Sequence, residues 1–325
     1  MQPTVLILGA RGRFGLAAAR AFADAGWSVL AQIRPHSSIP TQGLQQGRIR
    51  WSAADLNDID ALALQAKGAD VVVNALNPAY TNAAWQAQGL PLLDASIALA
   101  RTLQATLMLP GNVYNFGEGM PGVLREDTPQ LAQTVMGQVR VAMELRLEES
   151  GLRAVVIRAG NFFGAGRGAV FDQLMVKDIR KGSVTYLGER NVLGAWAYVP
   201  DLARAVVAVA QQRAVLPRFE VLHFAGHGLT GQDWVNALNP LARAQQWVRA
   251  ASPLKFKQLP WAVIRLGALV VPTWAALLSL RYLWQTAHTL DNTKLVSLIG
   301  AEPHTRLEEA ATAAVRQLGY LDSRD

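Results

Sequence analysis

Through the first half of the chain, short apolar runs alternate with longer segments whose apolar positions recur at helical spacing. Six of the runs read as β-strands, at residues 5–8, 28–33, 48–52, 70–74, 106–109 and 154–158. Runs such as Val71-Val72-Val73 are apolar at consecutive positions, so both faces of the strand need cover. That is the pattern of a parallel sheet with helices packed on each side. The predicted fold class is α/β, a doubly wound parallel (Rossmann) sheet. After Ile157 the pattern loosens. A Gly-rich stretch at 160–168 leads to a short strand near 184–187, a helix opened by Pro200 and Asp201 that runs to 212, a strand at 221–224 and a closing helix at 306–318. This half predicts a smaller, mostly helical C-terminal lobe. The expected division is 1–160 with 193–215 for the sheet domain and 161–192 with 216–325 for the second lobe. No repeat or low-complexity linker separates them, so the lobes are expected to be fused through shared segments.

The first strand breaks into Gly9, Gly12 and Gly15, and a helix over 16–25 follows. Gly9 allows the sharp turn, Gly12 lets the backbone approach a pyrophosphate, and Gly15 lets the helix pack closely on the strand. A dinucleotide is the ligand this arrangement suits, and its crevice lies at the carboxyl ends of the strands. Candidate cofactor residues therefore follow each strand: Arg11, Arg13 and Phe14 in the glycine loop, then Arg34, then Asp55 and Leu56. Asn74, Ala75 and Leu76 follow the fourth strand, Pro110 and Asn112 the fifth, and Gly160, Asn161 and Phe162 the sixth. The second strand ends Gln32-Ile33-Arg34, with no acid for a ribose 2′-hydroxyl. Arg34 and Arg11 instead offer paired donors to a 2′-phosphate, so NADP is the expected cofactor and NAD the alternative. Asp55 has two readings, as a carboxylate beside the adenine amino group or as the N-cap of a helix over 57–65.

At 325 residues the chain can build one large α/β unit and an appended lobe. It has no cysteine, which excludes disulfides and thiolate chemistry and fits a reducing cytoplasm. Any redox chemistry must come from a cofactor. The formal net charge is +7, but basic residues are interleaved with acids, as in Glu144-Leu145-Arg146-Leu147-Glu148-Glu149. No basic stripe with aromatics emerges, so nucleic acid is not an expected partner. The chain opens Met1-Gln2-Pro3 and then a strand, without the basic and small-residue features of a secretory signal. Residues 266–280 are uncharged between Arg265 and Arg281, but too short for a span and interrupted by Pro272. A buried helix pair roofing an apolar pocket is expected there, and no membrane partner. The histidines lack metal-ligand spacing, His223 and His227 reading as a strand and its turn, so no metal is expected.

Together, 9–15, Asp55-Leu56, Asn74-Ala75, Asn112-Val113-Tyr114-Asn115-Phe116-Gly117, Arg158-Ala159-Gly160-Asn161-Phe162-Phe163-Gly164 and 196–203 resemble the extended short-chain dehydrogenase/reductase superfamily. The resemblance is to its NAD-dependent epimerase/dehydratase branch and spans roughly residues 4 to 320, loosening after Glu220. It implies a nicotinamide cofactor, a substrate set by the C-terminal lobe, and a homodimer as a common arrangement. That superfamily's catalytic signature is Tyr-x-x-x-Lys with a Ser or Thr upstream. Here Met136 stands at the Tyr position, Arg140 at the Lys position with Glu144 beyond, and Pro110 or Gly111 at the Ser position. A thioether cannot move the proton that a phenol would.

Three classes of function fit this departure. In the first, an oxidoreductase, Arg140 holds the cofactor ribose and another donor does the proton work, with Tyr114, Asn112 and Tyr80 the candidates. The second is a cofactor-binding sensor or scaffold without turnover, and the third a lyase, isomerase or epimerase without net hydride transfer. Trp196, Trp261, Trp274, Tyr282 and Trp284 are expected to gather over the cleft and favour a small apolar or aromatic ligand. Asp201 reads first as a helix cap.

Overall fold

The computed structural model describes residues 2–39, 47–249 and 251–321. Its centre is a parallel sheet of seven strands: β1 (Thr4–Leu8), β2 (Ser28–Gln32), β3 (Ile49–Ser52), β4 (Val71–Asn74), β5 (Thr106–Asn112), β6 (Ala154–Ala159) and β7 (Phe219–Phe224). Their spatial order is β3-β2-β1-β4-β5-β6-β7, with every neighbouring pair parallel. The order reverses between β1 and β4, which opens a crevice at the carboxyl edge of the sheet.

Ten α-helices are described. Five lie in the first two thirds of the chain: α1 (Arg13–Asp24), α2 (Ile59–Gln65), α3 (Asn82–Leu103), α4 (Val135–Glu149) and α5 (Val199–Gln211). Five follow: α6 (Gly231–Ala244), α7 (Trp261–Gly267), α8 (Pro272–Ser279), α9 (Thr293–Ile299) and α10 (Leu307–Gln317). Alternation along the strands separates two apolar layers. Val5, Ile7, Val71 and Val73 meet Phe22 of α1, Val206 of α5 and Leu295 of α9. Leu6, Leu8 and Val72 turn to the opposite face and meet Leu62, Leu93, Leu99 and Met143 of α2, α3 and α4. Strands buried on both faces need this double cover.

Three local differences from the sequence reading bear on the site. First, the run at 221–224, placed in the second lobe, is the seventh strand and pairs along β6 from Phe219↔Ala154 to Phe224↔Ala159. Second, β5 continues three residues past Leu109. Beyond Met108 it is paired only with β6, so the missing N–H of Pro110 leaves no gap on the β4 side. Third, α1 begins at Arg13 rather than at residue 16, capped by Gly12, which places Gly15 inside its first turn.

The second lobe holds a three-stranded sheet in which Gly194–Tyr198 lies between Asn161–Phe163 and His227–Leu229. Around it packs an aromatic core in which the Trp234 ring meets those of Phe163 (5.0 Å), Phe171 (5.2 Å) and Trp196 (5.1 Å). Among the described residues no helix is long and apolar enough to cross a membrane.

Candidate active site

A cavity of about 480 Å³ begins at the glycine loop, runs along the carboxyl ends of β4, β5 and β6, and ends beneath α8. Gly9, in the left-handed region at φ +73°, turns the chain out of β1. A Cβ on Gly15 would lie 2.5 Å from the Gly9 carbonyl oxygen, so only glycine lets α1 start this close to the strand. The first intrahelical bond runs from the Leu16 N–H to the Gly12 carbonyl (2.8 Å), and Gly12 offers no side-chain cap. The amides of Arg13, Phe14 and Gly15 therefore precede the helical ladder, a donor set suited to an anion. Gly12, Arg13 and Phe14 line the cavity; Gly9 and Gly15 shape the turn behind it.

Buried Gln32 holds this loop in place. Its side-chain oxygen accepts from the Gly9 N–H (3.1 Å) while its amide donates to the carbonyls of Ile33 (3.0 Å) and Ala54 (3.1 Å). At the end of β2, where an acid would bind a ribose hydroxyl, the chain thus carries a neutral structural amide. Arg11 and Arg34, which follow β1 and β2, are both exposed, and neither lines the cavity itself. Asp55 is not the cap of α2, because that helix starts at Ile59 and Asp58 accepts from the Ala61 N–H (3.0 Å). Asp55 instead folds a local turn, accepting from the Asn57 backbone (2.9 Å) and side chain (3.0 Å), beside half-buried Leu56.

Deeper in, Asn74, Ala75 and Leu76 line one wall. The Asn74 oxygen accepts from the Leu76 N–H (3.0 Å), but its amide nitrogen is buried without a protein partner. An orphaned buried donor is costly unless a ligand accepts from it. Pro110, Asn112, Gly160, Asn161 and Phe162 line the opposite wall. Asn112 accepts from the Tyr114 N–H (3.0 Å), fixing the turn that aims Tyr114 into the cavity. At Gly160 a Cβ would meet the Ala195 carbonyl oxygen at 2.2 Å, so the chain can cross Gly194–Tyr198 only with glycine there.

Tyr80 and Tyr114, which follow β4 and β5, are hydrogen-bonded to each other through their hydroxyls at the cavity wall. Trp85 of α3 stands edge-on to Tyr80 (6.2 Å) and tilted against Tyr114 (6.3 Å). Arg140 of α4 lies over the Trp85 ring (4.9 Å) and donates to the Pro110 carbonyl (3.4 Å). Arg13 reaches across the cleft to the Gly164 carbonyl (3.3 Å). The Tyr80 side chain is 44% exposed, but the crowding of its hydroxyl end desolvates it and pushes it up to about 12, against the opposing pull of the Arg140 and Arg13 charges. Burial likewise takes Arg140 down to about 10 and lowers Arg13.

Met136 is fully buried in the second-lobe core and does not line the cavity. The neighbouring Gly137 is equally constrained, since a Cβ there would lie 2.5 Å from the Tyr114 carbonyl oxygen. Beneath Arg140, Glu144 grips fully buried Arg158 of β6 at 2.6 and 3.1 Å and accepts from Asn115 (3.0 Å). This buried pair ties α4 to the sheet, so the helix carrying Arg140 is set by a structural charge pair outside the cavity.

Of the aromatics expected over the cleft, Trp274 and Trp284 line it. Trp196, Trp261 and Tyr282 do not, because the second-lobe core takes them. Trp196 is enclosed by Trp234 and Tyr186, Trp261 donates to the Leu187 carbonyl (2.7 Å), and Tyr282 donates to the Tyr114 carbonyl (3.3 Å). Asp201 is neither the cap of α5, which is Tyr198, nor a cavity residue. Its carboxylate is buried on the Thr305 N–H (2.6 Å) and hydroxyl (2.8 Å). Lining residues that the sequence reading missed include Trp85, Gln173 and Leu174. A signal for Trp85 existed in Thr81, the N-cap of α3, which places Trp85 one turn beyond Tyr80.

The RmlD substrate binding domain family matches residues 3–265. The chain belongs to that family. With it the chain joins the epimerase/dehydratase branch of the extended short-chain dehydrogenase/reductase superfamily, here without the Tyr-x-x-x-Lys pair. Similar solved structures include WbmH of Bordetella bronchiseptica in complex with NAD+ (18% identity, 98% of each chain, TM-score 0.72). A UDP-glucuronic acid 4-epimerase from Bacillus cereus, in complex with NAD, is 16% identical over 98% of this chain and 100% of that one (TM-score 0.73). TunA, an NAD-dependent NDP-hexosamine 5,6-dehydratase, is 16% identical over the whole of both chains (TM-score 0.70). At these identities the likeness is one of fold. No curated protein matches the chain.

Proposed function

We propose that this RmlD-family chain is an NADP(H)-dependent oxidoreductase acting on a small apolar or aromatic carbonyl or alcohol, with the Tyr80–Tyr114 pair replacing the usual proton donor. The observation that carries the reading is the contact of these two hydroxyls on the cavity wall, flanked by Trp85 and within the field of Arg140 and Arg13. The residues fit a dinucleotide: the amides of 13–15 suit the pyrophosphate, the orphaned Asn74 amide has room for a ligand acceptor, and Arg34 with Arg11 suits a 2′-phosphate. When bound, a nicotinamide supplies or takes up the hydride. The protein must then hold the substrate and move one proton.

In a hydrogen-bonded phenol pair, one proton lies between the two oxygens and the other is free to be given to a substrate oxygen. The Tyr80 phenol is neutral at physiological pH, since desolvation of its hydroxyl raises it. The tyrosinate left after the transfer is stabilised by the nearby guanidiniums, which offset part of the cost of burial. Trp274, Leu277 and Leu280 make the far wall apolar, which excludes water and suits an apolar substrate.

The test is NADPH oxidation followed at 25 °C across a panel of aldehydes and ketones, for the wild type and for Tyr80→Phe and Tyr114→Phe. Each substitution is expected to lower kcat by about 10²–10⁴, the usual worth of a positioned proton donor, while leaving the NADPH dissociation constant unchanged. Equal turnover by all three proteins would remove both tyrosines from the chemistry. A second reading, an NAD(P)-dependent epimerase or dehydratase, is favoured by the family to which the chain belongs. It expects substrate conversion without net consumption of NADPH. Tight cofactor binding with neither outcome would leave a binding protein without turnover, the role that Met136 and Arg140 in place of Tyr and Lys would suit.

A further inference from the structure

The uncharged segment around α7 and α8 does not close over the cavity as a buried roof. Trp274, Leu277 and Leu280 face the cavity, but the turn joining the helices points outward. Leu266, Leu269 and Val270 are 72%, 84% and 81% exposed, and Val263 of α7 is 53% exposed. Leu269 and Val270 are the two most exposed large apolar side chains among the described residues. A soluble surface rarely gathers such residues without a partner.

The hairpin is a built structure. Gly267 ends α7 beneath the Trp274 ring, where a Cβ would lie 2.1 Å from a ring carbon. Its carbonyl accepts from the Val270 (3.0 Å) and Val271 (2.8 Å) amides, which fixes the apolar turn at the tip. Arg281 lies over the Trp261 ring (5.1 Å) at the hairpin base.

Charge identifies the partner. From Trp234 to Leu290 the chain has no aspartate or glutamate, but it carries Arg243, Arg249, Lys255, Lys257, Arg265 and Arg281, six of the formal +7. Arg265 stands next to Leu266 and is exposed, as are Lys255 and Lys257 on the strand that leads into α7. Asp178 lies near Lys257 and Glu118 near Tyr282, but the segment that carries the tip has no acid of its own and holds Arg265 beside Leu266. An apolar tip on such a basic segment complements an anionic lipid surface, where the side chains enter the acyl boundary and the cations meet the headgroups.

We propose that the α7–α8 hairpin seats this protein on an anionic membrane surface, lying in the interface without spanning the bilayer. Thr273, three residues beyond Val270, is both exposed and part of the cavity wall, so docking by the tip sets a rim of the cavity at the lipid boundary. This departs from the sequence expectation of no membrane partner and rests on the exposed apolar tip. Docking by the hairpin does not require turnover, so lipid binding and oxidoreductase activity are measured independently of each other.

The test is co-sedimentation of the full chain with vesicles of phosphatidylcholine alone and of phosphatidylcholine with phosphatidylglycerol, at low and high salt. The expected result is binding to the anionic vesicles, weakened by salt. It should be at least about tenfold weaker for Leu266→Ser/Leu269→Ser/Val270→Ser, which removes the interfacial apolar contacts. A second variant, Lys255→Gln/Lys257→Gln/Arg265→Gln, should lose the preference for anionic lipid while keeping the apolar tip. Circular dichroism and the thermal midpoint of each variant, unchanged from wild type, exclude misfolding as the cause. Absence of vesicle binding by the wild type, or equal binding by the serine variant, overturns the proposal. So does a dimer in light scattering that the serine variant dissociates, which would give the tip to a second copy of the chain.

Discussion

Thirty-four positions separate Tyr80 from Tyr114, yet their hydroxyls meet, because each follows a strand of the same parallel sheet and those strands, β4 and β5, are neighbours. The same rule places Arg11 and Arg34 at the ends of β1 and β2. At the residue scale the proposed selectivity for NADP(H) rests on these two exposed guanidiniums. Arg34→Glu is expected to weaken NADPH by about tenfold or more while changing NADH little, the loss of a paired phosphate contact, measured by nicotinamide fluorescence. A different kind of residue effect is expected inside the sheet. Glu144→Leu leaves Arg158 buried and unpaired, and should cost about 3–5 kcal/mol in urea unfolding. A loss under 1 kcal/mol would mean that His223 (3.3 Å) and the Glu126 carbonyl (3.4 Å) suffice to hold the charge.

At the scale of elements, the site depends on how closely α1 approaches β1. Gly15→Ala would set a methyl 2.5 Å from the Gly9 carbonyl oxygen and 2.9 Å from the Ala10 Cα, both backbone atoms that cannot swing aside. The helix must shift, at an expected cost of about 1–3 kcal/mol, and NADPH affinity should fall with it. Unchanged affinity in a destabilised protein would separate the glycine's packing role from ligand binding. Six strands of the sheet are legible in the chain because they are short and close in sequence, and all but β3 carry apolar residues on both faces. β7 is legible as a strand at 221–224 but not as a member of this sheet, because it enters only after an excursion through the second lobe, and nothing local in the sequence marks which strand it pairs with. The glycine loop and post-strand residues are legible because the fold ties them to strand ends. The fates of Trp196, Trp261 and Tyr282 are not, since a large aromatic suits a core as well as a pocket. Asp55 and Asp58, three residues apart, are equally good caps on paper; the start of α2 at Ile59 selects Asp58.

The whole molecule is one parallel sheet with an aromatic lobe set against its carboxyl edge, and the cavity lies where they meet. Two buried histidines make its stability sensitive to acid. Burial, with Arg158 adding to it, takes His223 from the ordinary 6.5 to about 4; burial and His304 do the same for His227. Between those values the unfolded chain binds protons that the folded chain refuses. The contribution is therefore complete above pH 6.5 and lost as pH falls towards 4. The urea midpoint should drop over that window, and a midpoint constant down to pH 4 would contradict the burial of these rings. The central claim, a dinucleotide crevice selective for the 2′-phosphate, is tested most directly by titrating the wild-type protein with NADPH and with NADH under nicotinamide fluorescence. The account expects NADPH to bind tighter by at least about tenfold, ~1.4 kcal/mol. Binding of neither nucleotide would contradict it, leaving Gly9, Gly12 and Gly15 as a packing device and Asn74 as an unused donor.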